Sequence, residues 1–313
     1  FGTASGEIKN INLDKVSINS TAKYVEWGYI NMVGALAGEC SGTISNSVVT
    51  NIKIETKVPD GWIRMNWVGG LVGIFGGESI SNCRVAGNIN ASLGQGSIGG
   101  FIGELAGTAK IELCGADVTV TSTKAYYGGA DLGGFIGKGN GERNEETLIN
   151  NCYAIGNVSG GAYAGGFAGS LSGLNIKNCY AAGDVSNSYF GGAFVGTDGC
   201  AYAYYGYIKN SYAAGKVITE GDVKVDTPYA FAPKDGTQRS EFINCYYNNA
   251  NTVGVNKSAN GKSIDEMKSD AFAAALNADD ASNGWIYREG AAPYCGAEPA
   301  DYSAVDAALA KVP

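Results

Sequence analysis

Apolar and polar residues alternate along this chain in short runs of four to six, and each run ends at Gly-Gly, Ser-Gly, Gly-Asn or Ala-Gly. Period-2 alternation broken by such pairs is the pattern of short strands joined by tight turns. No run holds ten residues of 3.6-residue periodicity without a glycine, so amphipathic helices are not predicted for this part of the chain. The pattern also repeats. One element reads ISNSVVTNIKI at 44–54, ISNCRVAGNI at 80–89, IELCGADVTV at 111–120, INNCYAIGNV at 149–158, IKNCYAAGDV at 176–185 and IKNSYAAGKV at 208–217, with weaker copies at 8–18 and 242–249. A second element lies between the copies: VGALAG at 33–38, VGGLVG at 68–73, IGGFIG at 98–103, LGGFIG at 132–137, AGGFAG at 164–169 and FGGAFVG at 190–196, with PYAFAP at 228–233 as a decayed copy.

Two interleaved markers with a shared, irregular spacing mean one structural unit per coil, with loops absorbing the differences in length. The prediction is an all-β fold, a β-solenoid or parallel β-helix of about seven to eight coils over residues 1–250. With coils about 4.8 Å apart the rod core would be roughly 35 Å long. Equivalent positions then become ladders. Leu36, Leu71, Phe101, Phe135, Phe167, Phe194 and Phe231 should stack inside, as should Ile8, Ile44, Ile80, Ile111, Ile149, Ile176, Ile208 and Phe242. Asn precedes the Cys-equivalent position in seven of eight copies, Leu113 being the exception. Asn tolerates left-handed backbone, so an Asn corner is expected.

Composition removes several chemistries. The 313 residues include no histidine, which excludes a Ser-His-Asp triad, a Cys-His dyad and an HExxH zinc site. A net charge of −8 lacks the basic footprint of a nucleic-acid binder. No apolar stretch approaches the length that crosses a bilayer, so no membrane insertion is expected in this segment. The 8 cysteines include no CxxC. Ser47 and Ser211 share a slot with Cys83, Cys114, Cys152, Cys179 and Cys245, so the slot calls for a small buried side chain and free thiols are expected. Cys40, Cys200 and Cys295 lie outside that slot. No cofactor and no metal is called for: the glycine-rich GGFIGKGNGE lacks P-loop spacing, and the charged GERNEE at 141–146 reads as solvated surface.

The order GG-[LF]-x-G followed by I-x-N-C-Y-A-x-G-x-V resembles the GLUG repeat, best in 132–160 and 164–186, with coverage from about residue 8 to 250. The resemblance implies a secreted or cell-surface bacterial protein, adhesin-like or an accessory part of a surface protease, with other domains in the same polypeptide. Residues 251–296 look like the segment that closes such arrays. Ser263 with Glu266 has the spacing of a capping box, Ser269 suits a second helix cap, and Trp285–Tyr287 reads as a last strand. Residues 297–313 resemble a linker or the start of a following helical module.

The functional expectation is a non-catalytic repeat module, serving adhesion to a host-surface protein or glycan, or acting as a spacer. The alternative is a carbohydrate-active β-helix enzyme, a polysaccharide hydrolase or lyase, for which two carboxyl groups suffice. The candidate acids, Glu104 and Asp131 among them, are scattered over the loops with no recurring pair. Tyr153, Tyr180 and Tyr212 each follow the Cys position, so strand alternation turns them outward. They form either a sheet-stabilising stack or an aromatic platform for sugars or a protein. Trp62 and Trp67, in a long insert, are further binding candidates, as are Trp27 and the cluster YAYYGY at 202–207.

Overall fold

Asn10, Asn46, Asn82, Asn151, Asn178, Asn210 and Asn244 all have φ between 48° and 56°, and Leu113 occupies the same corner at 56°. This left-handed kink turns the chain once per coil, and Asn adopts it at lower cost than other non-glycine residues. The computed structural model of the chain describes residues 1–25, 28–57, 64–92, 95–122, 129–141, 147–186, 189–198, 206–218, 229–233, 240–251, 259–279 and 284–295. Within them the chain winds as a β-solenoid of stacked parallel strands, with about six turns in which all faces are present.

Each turn has four faces. In the third turn face one is Arg64–Gly69, face two Val72–Phe75, face three Ser79–Ser81 and face four Arg84–Ala91. Faces two and three carry seven and eight strands. Face one is closed at its first rung by Lys23–Val25, which pairs antiparallel with Gly28–Gly34. Face four begins with the short pieces Asn12–Asp14 and Ser17–Thr21 and continues as long strands such as Val48–Lys57 and Gly115–Ser122. From Tyr153 onward it splits into two-residue pieces, Tyr153–Ala154 and Val158–Ser159 in the first such turn.

The interior ladders form as expected. The rings of Phe101, Phe135, Phe167, Phe194 and Phe231 stack with centroids 4.6–4.9 Å apart and planes within 16° of parallel. Ile8 through Ile208 pair in register on face three, and Phe242 ends the series half-buried. The GG-[LF]-x-G element has a steric reading. In the turn at 99–103, a Cβ on Gly99 would collide with the Ile102 carbonyl, one on Gly100 with the Gly134 carbonyl above, and one on Gly103 with the backbone of Gly73 and Val68. Faces one and two therefore meet backbone to backbone along one edge of the rod, with the large residue of each element turned into the core.

The Cys slot behaves as the Cys/Ser exchange requires. The Cys83, Cys114, Cys152 and Cys179 thiols lie 3.1–3.2 Å from the carbonyl two residues earlier, where Ser47 and Ser211 hydroxyls donate at 2.8 Å. All seven described cysteines are free and buried, Cys40 within the core of face two. Burial pushes Cys114 and Cys152 well above the ordinary thiol range and Cys245 up to about 12. They are packing residues in the neutral form. Cys200 lies outside the described residues.

After the last rung, Asn260–Lys262, two short helices follow: α1 (Ile264–Met267) and α2 (Asp270–Leu276). Both predicted caps are present. Ser263 and Glu266 form the reciprocal capping box, and the Ser269 hydroxyl accepts from the Phe272 N–H. Trp285–Arg288 forms the expected strand. It joins no solenoid face and pairs antiparallel with Ala291–Cys295 as a separate hairpin. The helices and hairpin fold back along the side of the rod, over face four. Residues 297–313 lie outside the described residues.

Candidate functional site

Two rows of side chains outside the core combine aromatic and polar chemistry. The first is the tyrosine row of face four. Register places Asn12, Val48, Arg84, Gly115, Tyr153, Tyr180, Tyr212, Tyr246 and Asn260 in one ladder. Alternation does turn the tyrosines away from the solenoid core, but the expected exposure is corrected. Tyr153, Tyr180 and Tyr212 are 2%, 1% and 0% exposed. The chain's own helices and hairpin cover them, so the platform is already occupied. Met267, Phe272, Leu276, Trp285 and Ala292 pack on the rings, together with Ile155 and Ala182 from between the strand pieces.

This second core is specific in its contacts. Tyr153, Tyr180 and Tyr212 stack at 5.5 and 5.3 Å, and Phe272 meets Tyr212 and Tyr246 edge-on. The Tyr212 hydroxyl donates to the Pro293 carbonyl at 2.7 Å, and burial pushes it well above the ordinary phenol range. The Asn corner anchors the segment from one side. Asn210 Nδ2 donates to Asp279, Asn244 Nδ2 to the Ala275 carbonyl, and the Cys295 thiol to Asn151 Oδ1. The Tyr153 ring lies where a Cβ of Gly115 would stand, so the row starts one turn after the position that has no side chain.

The second row runs along the outside of face one, two residues ahead of the glycine edge. Its members, in register, are Met32, Trp67, Ser97, Asp131, Tyr163 and Phe190. The neighbouring outer row on face two is Glu39, Ile74, Glu104, Lys138, Ser170 and Thr197. The rows interlock. The Trp67 indole donates to Glu104 Oε2 at 2.6 Å, and Ser97 Oγ and Asn140 Nδ2 donate to the same carboxylate at 3.4 Å. Desolvation pushes the Asp131 carboxyl up to about 7, with Lys138 opposing the shift and Glu104 adding to it. Tyr163 and Phe190 stack at 5.1 Å, and Tyr189 packs edge-on against Phe190. Trp67, Glu104, Asp131, Lys138, Tyr163 and Phe190 are half-buried, while Ser97 lies fully beneath them.

The structure thus gathers Trp67, Glu104 and Asp131, which the sequence offered separately, onto one ledge. It leaves the tyrosine candidates in a covered row. Trp62, Trp27, the GERNEE loop at 142–146 and Tyr202–Tyr205 lie outside the described residues. Tyr163, Phe190, Lys138 and Ser97 were missed. Their signal was present: each outer face-one residue stands two before the first glycine of its marker or, at Phe190, one before a glycine run. Aligning the markers lines up Trp67, Ser97, Asp131, Tyr163 and Phe190. Glu104 and Asp131 belong to successive turns, so no recurring spacing within a copy reports their meeting.

The class defined by this backbone is a parallel β-solenoid whose repeat is set by a glycine edge and an Asn-Cys corner. The family described as the GLUG motif matches residues 160–186, a segment running from Gly160 through the face-one strand Tyr163–Gly165 to the face-four strand Val185–Ser186. The chain carries a GLUG repeat there, in the register of the best copy read from the sequence. No curated protein and no solved structure matches the chain. Among the described residues no helix is long and apolar enough to cross a membrane.

Proposed function

We propose that this chain is a non-catalytic repeat module of a secreted or surface-attached bacterial protein, and that it serves adhesion by binding a glycan or host-surface protein along the side of the rod. The observation that carries this reading is the division of labour within the repeat. The glycines, Phe, Ile, Asn and Cys that define each copy are occupied in building the rod. The side chains that differ from copy to copy form the half-buried ledge on faces one and two. A scaffold that repeats while its outer row varies suits presentation of a lateral surface.

The test is attachment of the purified chain to mucin, cultured epithelial cells and immobilised polysaccharides, read alongside release of reducing ends. Retention without release supports an adhesion module. Absence of attachment to any of them removes the adhesive role and leaves a spacer. A second reading rests on the electrostatic coupling of Glu104 to the Asp131 carboxyl. Two interacting carboxyl groups with differing environments are the minimum for glycoside hydrolysis. Release of reducing ends that is abolished by both Glu104→Gln and Asp131→Asn would replace the non-catalytic reading with that one.

A further inference from the structure

We infer that the ledge formed by Trp67, Glu104, Asp131, Lys138, Tyr163 and Phe190 is a subsite for an uncharged, polyhydroxylated glycan. The inference deepens the lateral-binding reading above and rests on it.

The aromatic members of the ledge supply apolar area with few rotors to immobilise, the property that concentrates such rings at binding surfaces. They are half-buried, unlike the tyrosines of face four, which are sealed under the C-terminal segment. The polar members offer both acceptors and donors: carboxyl oxygens of Glu104 and Asp131, and the ammonium of Lys138. A ligand rich in hydroxyls, each of which donates and accepts, complements such a set. Glu104 is held by the Trp67 indole, the Ser97 hydroxyl and the Asn140 amide, so one acceptor group is fixed in place before any ligand arrives. Fixing polar groups in advance reduces the entropy lost on binding.

Charge then narrows the ligand. Lys138 and Glu104, of opposite charge, occupy partnered positions in neighbouring strands of face two. Asp131, facing both, titrates near neutrality because its surroundings exclude water. The trio therefore presents little net charge at neutral pH. It gives a polyanion such as a polyuronate nothing to pair with beyond one ammonium already opposite a carboxylate. It equally lacks the strong negative field that would select a basic peptide. Sugars without charge match the rings with their C–H faces and the carboxyl oxygens with their hydroxyls.

The experiment is calorimetric titration of the purified chain at pH 7 with a soluble galactomannan, a xyloglucan and a mixed-linkage β-glucan, against polygalacturonate and oligolysine. The expected result is binding to at least one neutral polymer, weakened tenfold or more in both Tyr163→Ala and Asp131→Ala. The conservative Tyr180→Phe, under the covered row, should bind as the unmodified chain does. Circular dichroism and thermal melting verify folding, and Tyr163→Leu, which keeps apolar volume, serves if Tyr163→Ala does not fold. Stronger binding of polygalacturonate or oligolysine than of every neutral polymer would overturn the ligand class. Neutral-glycan binding, or attachment to mucin and cells, that is undiminished in both folded variants would overturn the location while leaving lateral adhesion standing.

Discussion

The tyrosine row of face four and the outer row of face one are built by the same rule and meet different fates. In each, one position per turn is repeated in register outside the core, and aromatic rings stack at the rung spacing. Tyr180 and Tyr212 stack at 5.3 Å, Tyr163 and Phe190 at 5.1 Å. The two rows differ in whether a later part of the chain returns to them. Helix α1, helix α2 and the terminal hairpin turn back over face four and bring Phe272, Leu276 and Trp285 onto the tyrosines. Among the described residues no such segment reaches Trp67, Asp131 or Tyr163. Chemistry separates them too. The covered row is purely aromatic, whereas the ledge has Ser97 and Asp131 between Trp67 and Tyr163, and a mixed-charge row beside it. A uniform ring stack is suited to a second hydrophobic core, and a broken one with carboxyl groups to a half-buried polar surface.

Stability gives the largest separation between the two rows. Tyr212→Ala should cost about 3–5 kcal/mol, because a fully buried ring held by Tyr180, Phe272 and Trp285 leaves a cavity its neighbours cannot fill. Tyr163→Ala, half-buried, should cost only about 1–2 kcal/mol. Urea denaturation monitored by circular dichroism measures both, and equal costs would erase the distinction between a covered and a half-buried row.

Dependence on pH gives the next. The ordinary value for an Asp carboxyl is 3.8, and Asp131 in the folded chain stands at about 7. The folded state therefore holds this proton more tightly than the unfolded state. Its contribution is most favourable below about pH 4, and stability falls as pH rises from about 4 to 7. Asp131→Asn should remove that slope and gain about 1–3 kcal/mol relative to the unmodified chain at pH 8 compared with pH 4. Tyr180→Phe, in the row without carboxyl groups, should leave the slope intact. Parallel profiles for Asp131→Asn and the unmodified chain would show that Asp131 is solvated.

The smallest effect concerns the corner one turn before the covered row. Leu113 adopts φ 56° and is 40% exposed, in a position that is Asn in the other seven copies. Leu113→Asn should raise stability by up to about 1 kcal/mol by relieving the cost of a left-handed conformation. Thermal melting that shows a loss instead would assign Leu113 a contact worth more than the backbone relief.

Much of this was legible because repetition makes a ladder readable in one dimension. Aligning two markers placed Phe135 and Phe167 inside, put Asn82 and Asn178 at left-handed corners, and explained why Ser47 can replace Cys. The capping box at Ser263 and Glu266 is local, and it held for the same reason. The covering of Tyr180 was not legible. Alternation fixes which side of a strand a residue faces, but it carries no information on whether another segment later lies on that side. Likewise Trp67 and Glu104 are 37 positions apart, and their hydrogen bond depends on how far one turn is offset against the next.

The sequence by itself determined the rod. A glycine is needed where two backbones touch, Asn is favoured where the chain bends left, and a small buried group fits the slot beside it, and these requirements recur in most copies. The tertiary structure decided that the tyrosine row of face four is covered. That choice is made by contacts such as Trp285 on Tyr212 and Cys295 on Asn151, between residues 73 and 144 positions apart. Their free energy comes from burying apolar area that only the finished rod presents, so no local pattern encodes it.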